Sequence, residues 1–304
     1  MSLDAGGFSF NFTGLPGRQS NPKQPPVSNA APAPAEEVIP DPEAYACCVE
    51  LETVQVTPDI SLLKGRVASH SAAKLLRGGG GDDLAASDLV PGQYEGGFKL
   101  WEGGLDLARF LAERWPLSGR APPGTAPAPH ALPGLLALWA GAEVHFQDFN
   151  RAVLGAVTAR NVAANTDVLA PPAAPCHTLE GLEPNPALAR PDPRRARYFA
   201  GGWAELPALL EGLGLRGGYD VVLSSETLYC PGSHAALYQC ILQSLKPRTG
   251  VAYIAAKTYY FGVGGGTAAF RRLVEADGVL TVRSAAVLDD GASVKREILT
   301  LAFA

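Results

Sequence analysis

The sequence predicts a doubly wound α/β fold whose mostly parallel sheet ends in an antiparallel hairpin. Three observations predict it. Continuous apolar runs, such as Val221, Val222 and Leu223 in YDVVLSSETLY (219–229), suit strands covered on both faces, as parallel strands are. These runs alternate with stretches of helical spacing, the pattern of βαβ units. The last two apolar runs, 280–288 and 297–303, have no helix between them and read as a hairpin.

The elements follow in order. Residues 1–44 hold Phe8, Phe10 and Phe12 at alternate positions and then a Pro- and Ala-rich tract, expected to be disordered for want of apolar surface. The aromatic triplet reads either as a docking strand or as a sticky tail. Residues 45–86 read as a small cap: strands at 47–56 and 60–67 joined by Thr57, Pro58 and Asp59, then a flexible break at Gly78, Gly79, Gly80 and Gly81. Those four glycines lack the Lys-Ser/Thr of a phosphate loop. Residues 87–304 form the main domain. Its first helix carries Leu105, Ala108, Leu111, Ala112 and Trp115 on one face, and LPGLLALWAGA (132–142) makes the next, with Leu132, Leu135, Leu136 and Trp139.

Residues 143–150, EVHFQDFN, are the anchor. Apolar and polar residues alternate and the run ends in Asp148, a carboxylate at the carboxyl tip of a strand, where open α/β sheets bind ligands and an acid either holds two ribose hydroxyls or only caps the following helix. A helix at 151–165, a Pro-rich insertion at 166–193, a short strand in ARYFAGGW (196–203) and a helix at 205–213 come next. Then follow the strand of 219–229, a helix at 234–245, a buried strand in GVAYIAAKTYYFG (250–262) and a helix at 270–276. Three tips thus share one edge: Asp148 with Phe149, Gly202 with Trp203, and Ser224, Ser225 and Glu226. Trp203 also reads as a core residue and Ser225 as a turn residue.

One element is missing. A nucleotide-binding domain should place a strand and a glycine turn just before the helix at 132, but SGRAPPGTAPAPH (118–130) carries prolines at 122, 123, 127 and 129, which central strands exclude.

Four segments, SDLVPGQYEGGFKLWEGGLDL, EVHFQDFN, VLSSETLY and AAKTYYFGVGGG, in this order and spacing, resemble the histidine protein methyltransferase family, a branch of the class I, seven-strand, Rossmann-like S-adenosylmethionine-dependent methyltransferases. The resemblance spans nearly all of 87–304. It implies methyl transfer from S-adenosyl-L-methionine to a histidine of a large-subunit ribosomal protein, in cytoplasm, nucleus and nucleolus. It places cofactor contacts on Leu100, Trp101, Glu102, Gly103, Gly104, Gln147, Asp148, Phe149, Gly202, Trp203 and Ser225. In-line attack by a neutral imidazole is then expected, with Glu226 and Tyr229 orienting the ring; Glu226 alternatively caps a helix. The sequence departs from the family where the first strand and Gly-x-Gly turn should be. That loss favours a second reading, a catalytically impaired or non-catalytic binder of the same fold. A nicotinamide oxidoreductase needs the missing turn just as much and explains neither the Trp101 nor the YYFG segment.

Composition limits the partners. A net charge of -5 with scattered Lys and Arg leaves no footprint for nucleic acid and suits a basic protein partner. Five scattered cysteines without a CxxC pair predict reduced thiols and no zinc site. No leader and no apolar run near the length of a membrane span is read. The expectation is a soluble monomer.

Overall fold

The structure is a computed structural model that describes residues 34–41, 44, 46–67, 75–76, 93–115, 125–126, 131–166, 192–291 and 293–304. The Phe8 to Phe12 triplet, the four glycines at 78–81, most of the Pro-rich run before 131 and the insertion at 167–191 lie outside them. All described residues belong to one compact unit.

The strands are β1 (Glu36–Val38), β2 (Val49–Thr57), β3 (Ile60–Val67), β4 (Thr125–Ala126), β5 (Val144–Asp148), β6 (Ala196–Ala200), β7 (Val221–Ser225), β8 (Val251–Lys257), β9 (Leu280–Leu288) and β10 (Arg296–Phe303). The helices are α1 (Glu102–Ala112) and α2 (Leu132–Trp139); α3, which runs as Arg151–Val153, a π turn Leu154–Thr158 and Ala159–Ala164; then α4 (Leu206–Gly212), α5 (His234–Ser244) and α6 (Thr267–Asp277).

Eight strands form one sheet in the order β1-β6-β5-β4-β7-β8-β10-β9. From β6 to β8 all pairings are parallel, and the order reverses at β4, which makes a topological switch point there. β10 inserts antiparallel between β8 and β9 and completes the expected hairpin. Side chains alternate between two cores. Val144, Phe146, Val221, Leu223 and Ile298 pack with α1 and α2 through Leu107, Leu111, Leu132 and Leu135. Phe199, Val222, Ile254 and Leu299 pack with α4, α5 and α6 through Leu210, Tyr238, Ile241 and Phe270. Burying each such side chain stabilises the fold by about 1.5–3 kcal/mol.

Two sequence expectations change. The central strand is reduced rather than lost: Thr125 and Ala126 pair with Val144 of β5 and with Val221 and Val222 of β7. Prolines two and three residues before and one after it explain the brevity, since each removes a donor and constrains its neighbour. The tract to residue 44 is not wholly without structure, because Glu36–Val38 pairs antiparallel with β6 at the sheet edge. Val38 is buried, Glu36 bonds Arg151 and Glu37 bonds Arg197, so charge and a free ladder edge hold what composition alone would not. β5 is buried on both faces. All five residues are buried, with His145 held by Tyr219 and Glu143 at 2.7 and 3.1 Å.

The β2–β3 pair docks on α3. Asn161 and Asn165, one helical turn apart, accept from the Gly65 and Leu63 N–H groups at 2.5 and 2.9 Å, and Asn165 returns a bond to the Leu63 carbonyl. No described helix is long and apolar enough to cross a membrane.

Candidate active site

Parallel strands all present their carboxyl ends to one edge, so the tips of β5, β6 and β7 meet beside the switch point. A cavity of about 260 Å³ opens there. Its wall includes Gln147, Asp148, Phe149, Gly202, Trp203, Glu226 and Tyr229, seven of the residues expected in the site.

Asp148 ends β5. Its Oδ1 accepts the Asn150 N–H at 2.8 Å, and a Cβ on Gly97 would come within 2.6 Å of its Oδ2, so only glycine admits the carboxylate on that side. Burial pushes the carboxyl up to about 7, the Asn150 N–H opposes this, and the Glu95 charge adds to it. Gln147 shapes the neighbouring turn: its amide donates to the Gly201 carbonyl at 2.7 Å and accepts from Trp203 Nε1 at 3.1 Å. Trp203 is therefore held by β5, and Phe149 stays 38% exposed beside the same cavity.

Leu100, Trp101, Glu102, Gly103, Gly104 and Ser225 do not line the cavity. They form the layer behind Glu226. Trp101 starts α1, donates Nε1 to the Gly96 carbonyl at 3.1 Å and lies 4.8 Å under the Lys99 ammonium. Glu102 sits in the first turn, 3.2 Å from Lys257; burial opposes its charge, but a backbone hydrogen bond and Lys257 hold its carboxyl below the usual range. Ser225 Oγ lies beside Gly104 and Leu100 beside it, which seats the start of α1 on the tip of β7.

Glu226 joins the two layers. Its Oε1 accepts the Gly103 N–H at 2.9 Å and its Oε2 accepts the Tyr260 hydroxyl. Burial raises this carboxyl, against the Tyr260 bond, the Lys257 charge and the Gly103 bond. Its backbone stands at φ 56, a left-handed conformation that costs of order 1–3 kcal/mol for a residue with a side chain. The geometry is that of an acid at a helix N-terminus, the capping alternative for Glu226. Tyr229 donates its hydroxyl to Glu95, and burial followed by the Glu95 charge raises its ionisation far above the usual range. Glu95 and Tyr260 were not anticipated individually. Both lie inside segments that carry the family resemblance, but only folding brings them to Tyr229 and Glu226.

The strand order and the hairpin define a class I, Rossmann-like methyltransferase fold. Within that class the chain is homologous to the histidine protein methyltransferases, so the resemblance read from its motifs holds. It is 35% identical over 219 residues to the histidine protein methyltransferase 1 homolog of Dictyostelium discoideum, across 72% of this chain and 61% of that one. It is 35% identical over 218 residues to the Rattus norvegicus homolog, across 71% and 59%. Histidine protein methyltransferase 1 of Schizosaccharomyces pombe matches at 28% over 302 residues, 86% of this chain and 83% of that one. The chain spans about three fifths of the length of the first two relatives. No protein-family model matches it.

Proposed function

We propose that the chain transfers a methyl group from S-adenosyl-L-methionine to a histidine side chain of a protein. The observation that carries this is Asp148, a buried carboxylate at the second core strand tip, cradled by Gly97 and flanked by Phe149 and Trp203.

These residues fit the adenosine part of the cofactor. Asp148 would accept the two ribose hydroxyls, and the Phe149 and Trp203 rings would hold the purine. The amino-acid end has less to hold it, since no glycine turn precedes α2; Ala131 takes the left-handed conformation there, at φ 62, that glycine would adopt without strain. When bound, the cofactor supplies the activated methyl group. The chain's own residues position the acceptor. Tyr229, its proton engaged by Glu95, keeps a hydroxyl oxygen free to accept from the far nitrogen of the imidazole and so turn the near nitrogen inward. A neutral imidazole is nucleophilic near pH 7, so no strong base is required. Glu226 acts through α1, keeping its first turn on the strand tips.

The substrate is a large-subunit ribosomal protein, met in the cytoplasm, nucleus and nucleolus; this rests on the family resemblance, and the net charge of -5 suits such a basic partner. A second reading, a binder without catalysis, is favoured by the two-residue β4 and the absent turn. Incubating the chain with isotopically labelled cofactor and purified large-subunit ribosomal proteins separates the two. Label recovered as methylhistidine supports the enzyme; a complex without label supports the binder.

A further inference from the structure

A rigid apolar lip stands beside the acid-lined cavity. Tyr259, Phe261 and Val263 are 48%, 70% and 43% exposed, and the two rings meet edge to face at 5.1 Å. This loop is braced. Between them Tyr260 turns inward, donating to Glu226 and accepting the Lys257 N–H at 3.2 Å. Its backbone bonds Gly264 and Gly265 at 2.9 and 3.0 Å, and the Gly265 N–H reaches the Tyr229 carbonyl at 3.0 Å. A Cβ on Gly265 or Gly266 would overlap the backbone of Tyr229 or Thr258, so the glycines exist to bring this loop hard against the site. The fold thus keeps apolar area in water at a fixed place, the arrangement of a pre-organised contact surface.

Charge tells what lands there. Among the described residues, Glu95, Asp148, Glu205 and Glu226 line the cavity, and no Lys or Arg does. We infer that the Tyr259–Phe261–Val263 lip docks the protein substrate itself: an extended segment with an apolar side chain next to the target histidine and basic residues further out, the apolar side chain on Phe261 and the basic ones toward Glu95 and Glu205, the lining acids left when Asp148 faces the cofactor and Glu226 holds α1. This rests on the reading of the cavity as a protein methyltransferase site.

The test uses the full chain and dye-labelled peptides with a central histidine, flanked by Leu or Ser and, further out, by Lys or Glu. Binding is followed by anisotropy in the presence of S-adenosylhomocysteine, methyl transfer is followed separately, and sedimentation reports self-association. The Leu/Lys peptide should bind best. Phe261→Ser and Tyr259→Ser should each weaken it about tenfold or more, with cofactor affinity and the unfolding midpoint unchanged. Equal binding of all four peptides, or undiminished binding by both variants, overturns the proposal. So does failure of the wild type to bind any of them, and a dimer dissociated by Phe261→Ser would then assign the lip to a second copy. Selective binding without methyl transfer leaves the lip standing and refutes the catalytic reading.

Discussion

Asp148→Asn separates what this acid does for ligand binding from what it does to the fold. Burial lifts its carboxyl from the ordinary 3.8 to about 7. The unfolded chain therefore sheds this proton near pH 4 and the folded chain only near 7. Across that window the folded state holds the extra proton, so stability falls as pH rises through it. At about 1.4 kcal/mol per pH unit the ceiling is ~4 kcal/mol, and a polarisable, partly wet interior brings it to roughly 2 kcal/mol. An amide still offers an oxygen to the Asn150 N–H and carries no charge beside Glu95. Urea unfolding should find Asp148→Asn more stable than wild type by roughly 2 kcal/mol at pH 8 and nearly equal to it at pH 4.5. Binding should move the other way. The amide cannot accept both ribose hydroxyls, so cofactor affinity should drop at least about tenfold, the worth of one lost charge-assisted hydrogen bond. Wild-type affinity should also weaken below pH 7 as the carboxyl takes its proton. A variant no more stable at pH 8 than at pH 4.5, relative to wild type, would refute the buried-charge argument; a variant that binds cofactor undiminished would remove Asp148 from the site.

Three further substitutions probe the scaffold. In Gly134→Ala the added methyl overlaps the Phe146 ring, so α2 must lift from β5; a loss of about 1–3 kcal/mol should appear as a lower urea midpoint at constant slope. Asp106→Asn removes the nearer carboxylate from buried Arg296, whose Nε lies 2.5 Å from Asp106 Oδ2 while Asp290 stays at 3.5 Å, and should cost about 1.5–3 kcal/mol, the worth of a hydrogen bond to a charged group, whereas replacing Asp106 and Arg296 together by apolar residues of similar volume should be nearly neutral. Glu226→Gln keeps an acceptor for Gly103 but a weaker one for Tyr260; turnover should fall about tenfold, equivalent to ~1.4 kcal/mol, with little change in cofactor affinity, and normal turnover would remove Glu226 from the mechanism.

Local pattern carried most of the domain. Apolar runs of strand length and faces of helical spacing placed β5 to β10 and α1 to α6 close to where they lie, because each of these elements buries a face that its own residues must supply. Asp148 was legible for the same reason, as an acid at a strand end. What escaped was held by distant partners. The edge strand at Glu36–Val38 depends on Arg151 and Arg197, more than a hundred residues away, and nothing in a Pro- and Ala-rich tract announces it. β4 survives as two residues because β5 and β7 offer it ladders on both sides, which outweigh a poor local sequence. The buried polar pair His145 and Tyr219 joins residues 74 apart, which no alternation within one strand announces. Glu226 also depends on distant partners: its spacing suits either a cap or a catalytic acid, and only Gly103 and Tyr260 show which of its oxygens are engaged.

Calorimetric titration of the full chain with S-adenosyl-L-methionine, run beside thermal unfolding, asks most directly whether these strand tips hold the cofactor with a two-residue central strand. A saturable one-to-one heat and a cooperative transition that moves upward with ligand are the predicted result, with affinity at least about tenfold weaker and a smaller upward shift in Asp148→Asn. A cooperatively folded chain that gives no heat and no shift would contradict it.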